Sequence, residues 1–217
     1  NNNKLIKALE NCDVLIHCAA ETPKINENQI KNEKEYMNLN SYATKKLLKL
    51  ASELNVKQFI YISGINCVEE KGSKPITESS SFSNKNPYIK SKILGEIFCS
   101  EYSSNKNIVV TIFRISAPYG AINLNKGVIS TFTKRAIKKE PIEIWGSGKR
   151  KQVFTYCKDI GLACNLAIEK KRSGIYNITG TESTDMKELA NIVKDTIDPE
   201  GCEIVYKQIL DSEENKK

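Results

Sequence analysis

Two periods of apolar residues alternate along this chain. Short, β-branched runs occur at Cys12–Cys18, at Gln58–Ser63 and at Ile108–Phe113, each bounded by polar or turn residues. Such runs predict strands buried on both faces. Between them the spacing changes to that of helices. Leu5, Ile6 and Leu9 precede the first run, and Leu47, Leu48, Leu50 and Leu54 mark a helix over residues 40–54. Pro87 opens another helix that reaches to about residue 104. Residues 24–36 are polar and read as a loop running into a helix. Residues 69–86, rich in Ser, Asn and Lys, form the longest irregular segment, an active-site loop or flap.

Apolar strands separated by helices predict the α/β class, with a doubly wound parallel sheet in residues 1–120. After Gly120 the texture changes. A helix near 127–139, strands around 142–145 and 153–156, a helix from about Asp159, the run Gly174–Ile178 and a helix at 184–196 predict a smaller α+β lobe over residues 121–217.

Composition narrows the function classes. The 217 residues, 40% hydrophobic and 27% charged, suit a soluble protein with one substantial core. No apolar run approaches ~18 residues, so no membrane association is expected, and the polar start does not read as a signal-peptide pattern. The seven cysteines are scattered, without a Cys-x-x-Cys pair. They predict reduced, buried thiols in a cytoplasmic protein and no metal site. The single histidine, His17, ends the first strand, which argues against a histidine-based triad. The net charge of +7 comes from dispersed lysines such as Lys45, Lys46 and Lys49. Without an aromatic-basic module this reads as a solvated surface, with no nucleic-acid partner.

The candidate chemistry lies at Tyr88 and Lys92. Four residues apart on a helix, they project to one place. A free phenol titrates near ~10 and is a poor base at neutrality, and a neighbouring ammonium favours its ionised form. That pair suits proton transfer at an alcohol or ketone while a hydride moves elsewhere. The same spacing arises by chance in a chain with 33 Lys and Arg, so its surroundings matter.

Those surroundings resemble, in order and over nearly the whole chain, the extended short-chain dehydrogenase/reductases, specifically the NAD-dependent epimerase/dehydratase family that acts on nucleotide sugars. Asp13–Ala20 is similar to the family's strand ending in His-x-Ala-Ala. Asn40–Thr44 is similar to its Asn-x-x-Gly-Thr, with Ala43 for Gly. Phe59–Ser63 resembles the strand carrying a catalytic Ser or Thr, and Asn86–Lys92 the Tyr-x-x-x-Lys helix. Arg114–Gly120, Ile144–Asp159 and Tyr176–Gly180 resemble the later landmarks.

The resemblance implies a Rossmann-like sheet with a substrate lobe, NAD as cofactor (NADP left open), a nucleotide-sugar substrate and a homodimer built on helices 40–54 and 88–104. It implies that Tyr88 exchanges the hydroxyl proton. Lys92 lowers the pKa of Tyr88 and binds the nicotinamide ribose. Ser63 is the candidate hydroxyl, and Ala19, Ala20, Asn40 and Ser116 line the cofactor. Asn40 orients a water, braces the site helix or simply caps a helix. Arg150 and Gln152 bind the substrate diphosphate, Gln152 standing where an arginine is common. The implied activity is epimerisation; reduction of a keto sugar or other ketone, and a non-catalytic binding role, remain alternatives.

Three departures qualify this. Gly64 falls where the family's catalytic hydroxyl sits, so Ser63 serves only if a bend after it turns its side chain. Ile65 and Asn66 replace the Asp-Glu of dehydratases, which disfavours dehydration. Ala117 replaces an asparagine found near the sugar diphosphate. The glycine-rich turn of a dinucleotide fold is also absent, so the first βα units are expected to lie upstream and the substrate lobe to be incomplete at its C-terminus.

Overall fold

The computed structural model describes residues 2–23, 32–70, 74–83, 86–105, 108–121 and 127–208. Most of the loop expected over 24–36, and parts of that over 69–86, lie outside them. The chain divides into two compact units, Asn1–Ser116 with Ile160–Ile178, and Ala117–Asp159 with Thr179–Lys217.

The first unit is built on four parallel strands, β1 (Val14–His17), β2 (Gln58–Gly64), β3 (Val109–Ile115) and, late in the chain, Gly174–Ile178, in that spatial order. Helix α1 (Asn2–Leu9) precedes β1, and α2 (Glu33–Tyr36), α3 (Ala43–Glu53) and α4 (Pro87–Asn105) follow in sequence. The alternation of β2 decides its packing. Phe59 and Tyr61 face Leu48 and Ala51 of α3 and Phe98 and Cys99 of α4. Ile60 and Ile62 face the opposite way, with Phe113, Cys164 and Ala167. Phe59 is fully buried, so truncating it to Ala would cost about 3–5 kcal/mol.

Local signals explain the helix starts. Asn86 Oδ1 accepts from the Ile89 amide, capping the helix that Pro87 opens. Asn32 and Glu35 form a capping box for α2. The helix expected from residue 40 thus begins at Glu33. It passes through a π turn at Met37–Tyr42 before α3, and the widened turn buries Asn40 and Ser41.

In the second unit, α5 (Val128–Ile137) and a C-terminal helix, Met186–Ile197, pack through Phe132, Ala136, Leu189, Ala190 and Val193 around Ile142 and Ile144. Strand β4 (Pro118–Tyr119) pairs in parallel with β7 (Thr155–Tyr156), and β5 (Ile142–Trp145) with β10 (Ile204–Lys207). Strand β6 (Lys151–Val153) pairs antiparallel with β9 (Ser183–Asp185). The single strand expected over 153–156 is therefore two strands parted at Phe154, each with its own partner.

The expected division at residue 120 requires correction. Helix α6 (Cys157–Glu169) mostly, and β8 (Gly174–Ile178) entirely, belong to the first unit. The reason is pairing: β8 extends the main sheet beside β3, with Tyr176 edge-on to Phe113 at 6.2 Å, while Cys164 and Ala167 of α6 cover that face. Among the described residues, no helix is long and apolar enough to cross a membrane.

Candidate active site

The carboxyl ends of parallel strands are where open α/β sheets bind ligands. Here β1 ends in His17, followed by Cys18, Ala19 and Ala20; β2 ends in Gly64; β3 is followed by Ser116. Against these ends α4 lays one face carrying Tyr88, Lys92 and Glu96, successive residues four apart.

Lys92 is buried. Its Nζ donates to the Ile62 carbonyl at 2.8 Å and lies 4.2 Å from the centroid of the Tyr61 ring. Burial lowers its pKa to about 8. His17 stacks on the other participant, the Tyr61 ring, at 5.6 Å, and its Nε2 is 2.9 Å from Thr44 Oγ1. The Thr44 hydroxyl gives its proton to the Asn40 carbonyl at 2.6 Å. Its oxygen is then the acceptor, which assigns the proton of neutral His17 to Nε2. Burial, aided by the Lys92 charge, lowers the His17 pKa to about 4.

Asn40 ties the chain after Ala20 to the helix. Its Oδ1 accepts from the Glu21 amide at 2.7 Å, and its Nδ2 donates to the Glu21 carbonyl and to Ser91 Oγ at 3.0 and 2.9 Å. Ser91 passes its own proton to the Tyr88 carbonyl, 2.7 Å away. The cross-link spans both sides of the site and rests on the π turn that turns Asn40 inward.

Ser63 is buried and already partnered. Its hydroxyl donates to Glu96 Oε1 at 2.5 Å, and Glu96 pairs with Arg114, Nη2 to Oε2 at 2.7 Å, with both side chains 1% exposed. The β2–β3 register runs unbroken through Ser63↔Arg114 and Gly64↔Ile115, so no bend turns Ser63 outward. Arg114 Nη1 also donates to the Glu78 carbonyl at 3.0 Å. Glu78 Oε1 accepts from the Asn177 amide at 2.9 Å, which holds its carboxyl below the usual range. Part of the long loop is thereby anchored to the ends of β3 and β8.

A second correction concerns Tyr88. Its phenol is pushed up, by burial first and then by Cys67 and Tyr36. The Lys92 ammonium, expected to pull it down, is held by Ile62 and Tyr61. Tyr88 instead packs edge-on to Tyr36 at 5.9 Å.

The first unit thus collects Ala19, Ala20, Asn40, Ser63, Tyr88, Lys92 and Ser116 at one end of the sheet. Arg150 and Gln152 lie in the second unit, Arg150 exposed with Nη2 3.5 Å from Met186 Sδ and Gln152 paired with Thr184. Sequence reasoning missed Glu96, Ser91, Thr44 and Tyr61. For Glu96 there was a signal, the further four-residue step beyond Lys92, and Thr44 closes the Asn40–Thr44 motif; for Ser91 and Tyr61 there was none.

A model of the NAD dependent epimerase/dehydratase family matches residues 1–179. An uncharacterized UDP-glucose epimerase of Bacillus subtilis is 26% identical over 193 residues, covering 88% of this chain and 60% of the relative. A putative UDP-glucose 4-epimerase of Methanocaldococcus jannaschii is 29% identical over 199 residues, covering 89% and 64%. The chain spans less than two thirds of the length of these relatives. Among solved structures, UDP-glucuronic acid 4-epimerase from Bacillus cereus, in complex with UDP-glucuronic acid and NAD, matches with a TM-score of 0.82 and 26% identity over 95% of this chain and 66% of that one.

Proposed function

Because the chain belongs to the NAD-dependent epimerase/dehydratase family, we propose that it serves an NAD-dependent epimerase of a nucleotide sugar, with Tyr88 as the proton-exchanging group. The observation that carries this reading is the shared face of Tyr88 and a buried Lys92 at the carboxyl ends of β1 and β2. Relatives whose names include UDP-glucose epimerase support the substrate class.

The residues at this edge suit the nicotinamide-ribose end of NAD. Ala19 and Ala20 are small and at least partly exposed, and Lys92 offers an ammonium already stripped of most of its water. Small side chains admit a flat ring against the backbone, and the ammonium can bind a ribose hydroxyl. When bound, NAD supplies the chemistry of accepting a hydride from the sugar carbon and returning it.

The chain's own residues manage the proton. Burial keeps the Tyr88 phenol protonated at neutral pH, so it waits as a donor to a keto oxygen. Taking the proton of a sugar hydroxyl requires positive charge, which Lys92 holds one helical turn away. Asn40 keeps the Ala19–Glu21 segment and α4 in register. In the second unit, Arg150 is proposed to meet the diphosphate with its planar fork, and Gln152 with neutral hydrogen bonds. A homodimer through the helix of residues 40–54 and α4 is proposed on the exposed Leu39 and Tyr42 of the π turn that leads into α3 and on Ile97 of α4.

The raised pKa of Tyr88 favours a second reading, reduction of a keto sugar, which uses the same donor. The test is to purify the intact protein, measure bound NAD and assay UDP-, GDP- and dTDP-sugars. An epimer formed without net NADH change supports epimerisation, and stoichiometric NADH consumption supports reduction. Inactivity with NAD bound sinks both and returns the non-catalytic alternative.

A further inference from the structure

Gly64 ends β2 in an extended conformation, φ −130° and ψ 144°, that any residue adopts. What fills the space beside it is a side chain from two residues later. An ideal Cβ on Gly64 would lie 2.5 Å from Asn66 Oδ1, far inside van der Waals contact. Asn66 therefore folds back through the short turn Ile65–Cys67 and lays its amide over the end of the strand. Asn66 is exposed and its amide has no hydrogen-bond partner among the described residues. The turn packs against α4, and Cys67 is close enough to Tyr88 to raise its pKa.

An exposed amide laid over a glycine at the ligand end of a strand, with no partner among the described residues, offers both its groups to a ligand. It is both donor and acceptor, so it can hold a ketone oxygen through Nδ2 or a hydroxyl through Oδ1. It carries no ionisable proton, so it cannot help a hydroxyl leave as water.

We propose that Asn66 is a catalytic residue that holds the reacting oxygen of the substrate beside Tyr88, its amide serving the polar function that Gly64 cannot. This rests on the proposed sugar chemistry of the same site. The oxygen is held in both oxidation states, with the proton exchanged at Tyr88 alone. The side chains at 64 and 66 compete for one space, so their roles are exchangeable: a hydroxyl at 64 fits only when the amide at 66 is removed.

The experiment uses the intact, NAD-loaded protein and the nucleotide sugar that the parent turns over. Asn66→Ala is expected to lower kcat by about 10²-fold, as the loss of one preorganised donor does. The melting temperature should stay unchanged, and the calorimetric Kd for the nucleotide sugar should change less than about threefold, since the rest of the sugar is still gripped. Gly64→Ser alone should lower activity by displacing the amide. The double variant Gly64→Ser with Asn66→Ala should recover at least about tenfold over Asn66→Ala. A parental kcat in Asn66→Ala, a loss that accompanies a fallen melting temperature, or no recovery in the double variant overturns the assignment. A parent protein that binds NAD but turns over no sugar overturns the proposed function itself, and Asn66 with it.

Discussion

Lys92 Nζ donates to the carbonyl oxygen of Ile62 at 2.8 Å. This one bond pins the site face of α4 to the carboxyl end of β2 and places an ammonium where burial has removed most of its water. Its pKa of about 8 against an ordinary 10.5 corresponds to about 3 kcal/mol of penalty on the charged form. The folded-state value is depressed, so that penalty is absent above pH 10.5, grows as pH falls and is complete below about 8. Lys92→Met should therefore melt higher than the parent at pH 7, with the gap narrowing toward pH 10; a constant gap would refute the burial account. If the cation is needed for turnover, kcat/KM should fall above about pH 8, and Lys92→Arg should move that limb upward.

Removing Glu96 leaves Arg114 charged and without its carboxylate in a dry environment. Glu96→Gln is expected to cost about 3–5 kcal/mol of stability, read from urea unfolding. Ser63→Ala, which loses one charge-assisted bond, should cost about 1.5–3 kcal/mol. A double change of Glu96 to Leu and Arg114 to Met should cost less than the Gln variant alone, since neither charge is then left unpaired.

His17 is the chain's single histidine, which makes its titration directly visible by NMR. The imidazole should remain neutral down to about pH 4 instead of titrating near 6.5. Between those values the unfolded chain binds a proton that the folded chain refuses, so stability falls as pH drops from 6.5 toward 4. His17→Phe should flatten that part of the pH–stability curve. An imidazole titrating near 6.5 in the folded protein would contradict the stacked, buried placement.

Tyr88→Phe removes the phenol hydroxyl and keeps the ring against Tyr36. Turnover by the intact protein should drop by about 10²–10⁴-fold, while the unfolding midpoint stays within experimental error. A stable variant with parental turnover would exclude Tyr88 as the proton donor.

Asn40→Ala breaks three hydrogen bonds that join Glu21 and Ser91. A loss of about 1–3 kcal/mol in stability should come with weaker NAD binding, measured calorimetrically, because the Ala19–Glu21 segment is released. Stability loss with unchanged NAD affinity would restrict Asn40 to holding the helices together.

Much of the site was legible because periodicity is a local property. Tyr88 and Lys92 share a face in any α-helix, and Asn86-Pro87 marks where that helix starts. Their partners were not legible. Ser63 meets Glu96 from 33 positions away, and the hydroxyl that the alternation left without a role is the one that closes a buried ion pair. The spacing suggested that Lys92 acts on Tyr88, yet its ammonium donates to Ile62 and lies over the Tyr61 face, residues of another element. Asn66 was seen as the loss of an acid; its position over Gly64 emerges only with the turn in place.

By itself the sequence determined the element types, the α/β class of the first hundred or so residues and the shared face of Tyr88 and Lys92, since each follows from a repeat of two or of about four residues. Tertiary structure alone decided that Ile160–Ile178 return to complete the first sheet, that a π turn drives Asn40 inward, and which way each buried polar group shifts. Those outcomes depend on what a side chain meets across the core, and the desolvation and pairing that set its chemistry arise only once distant segments are brought together.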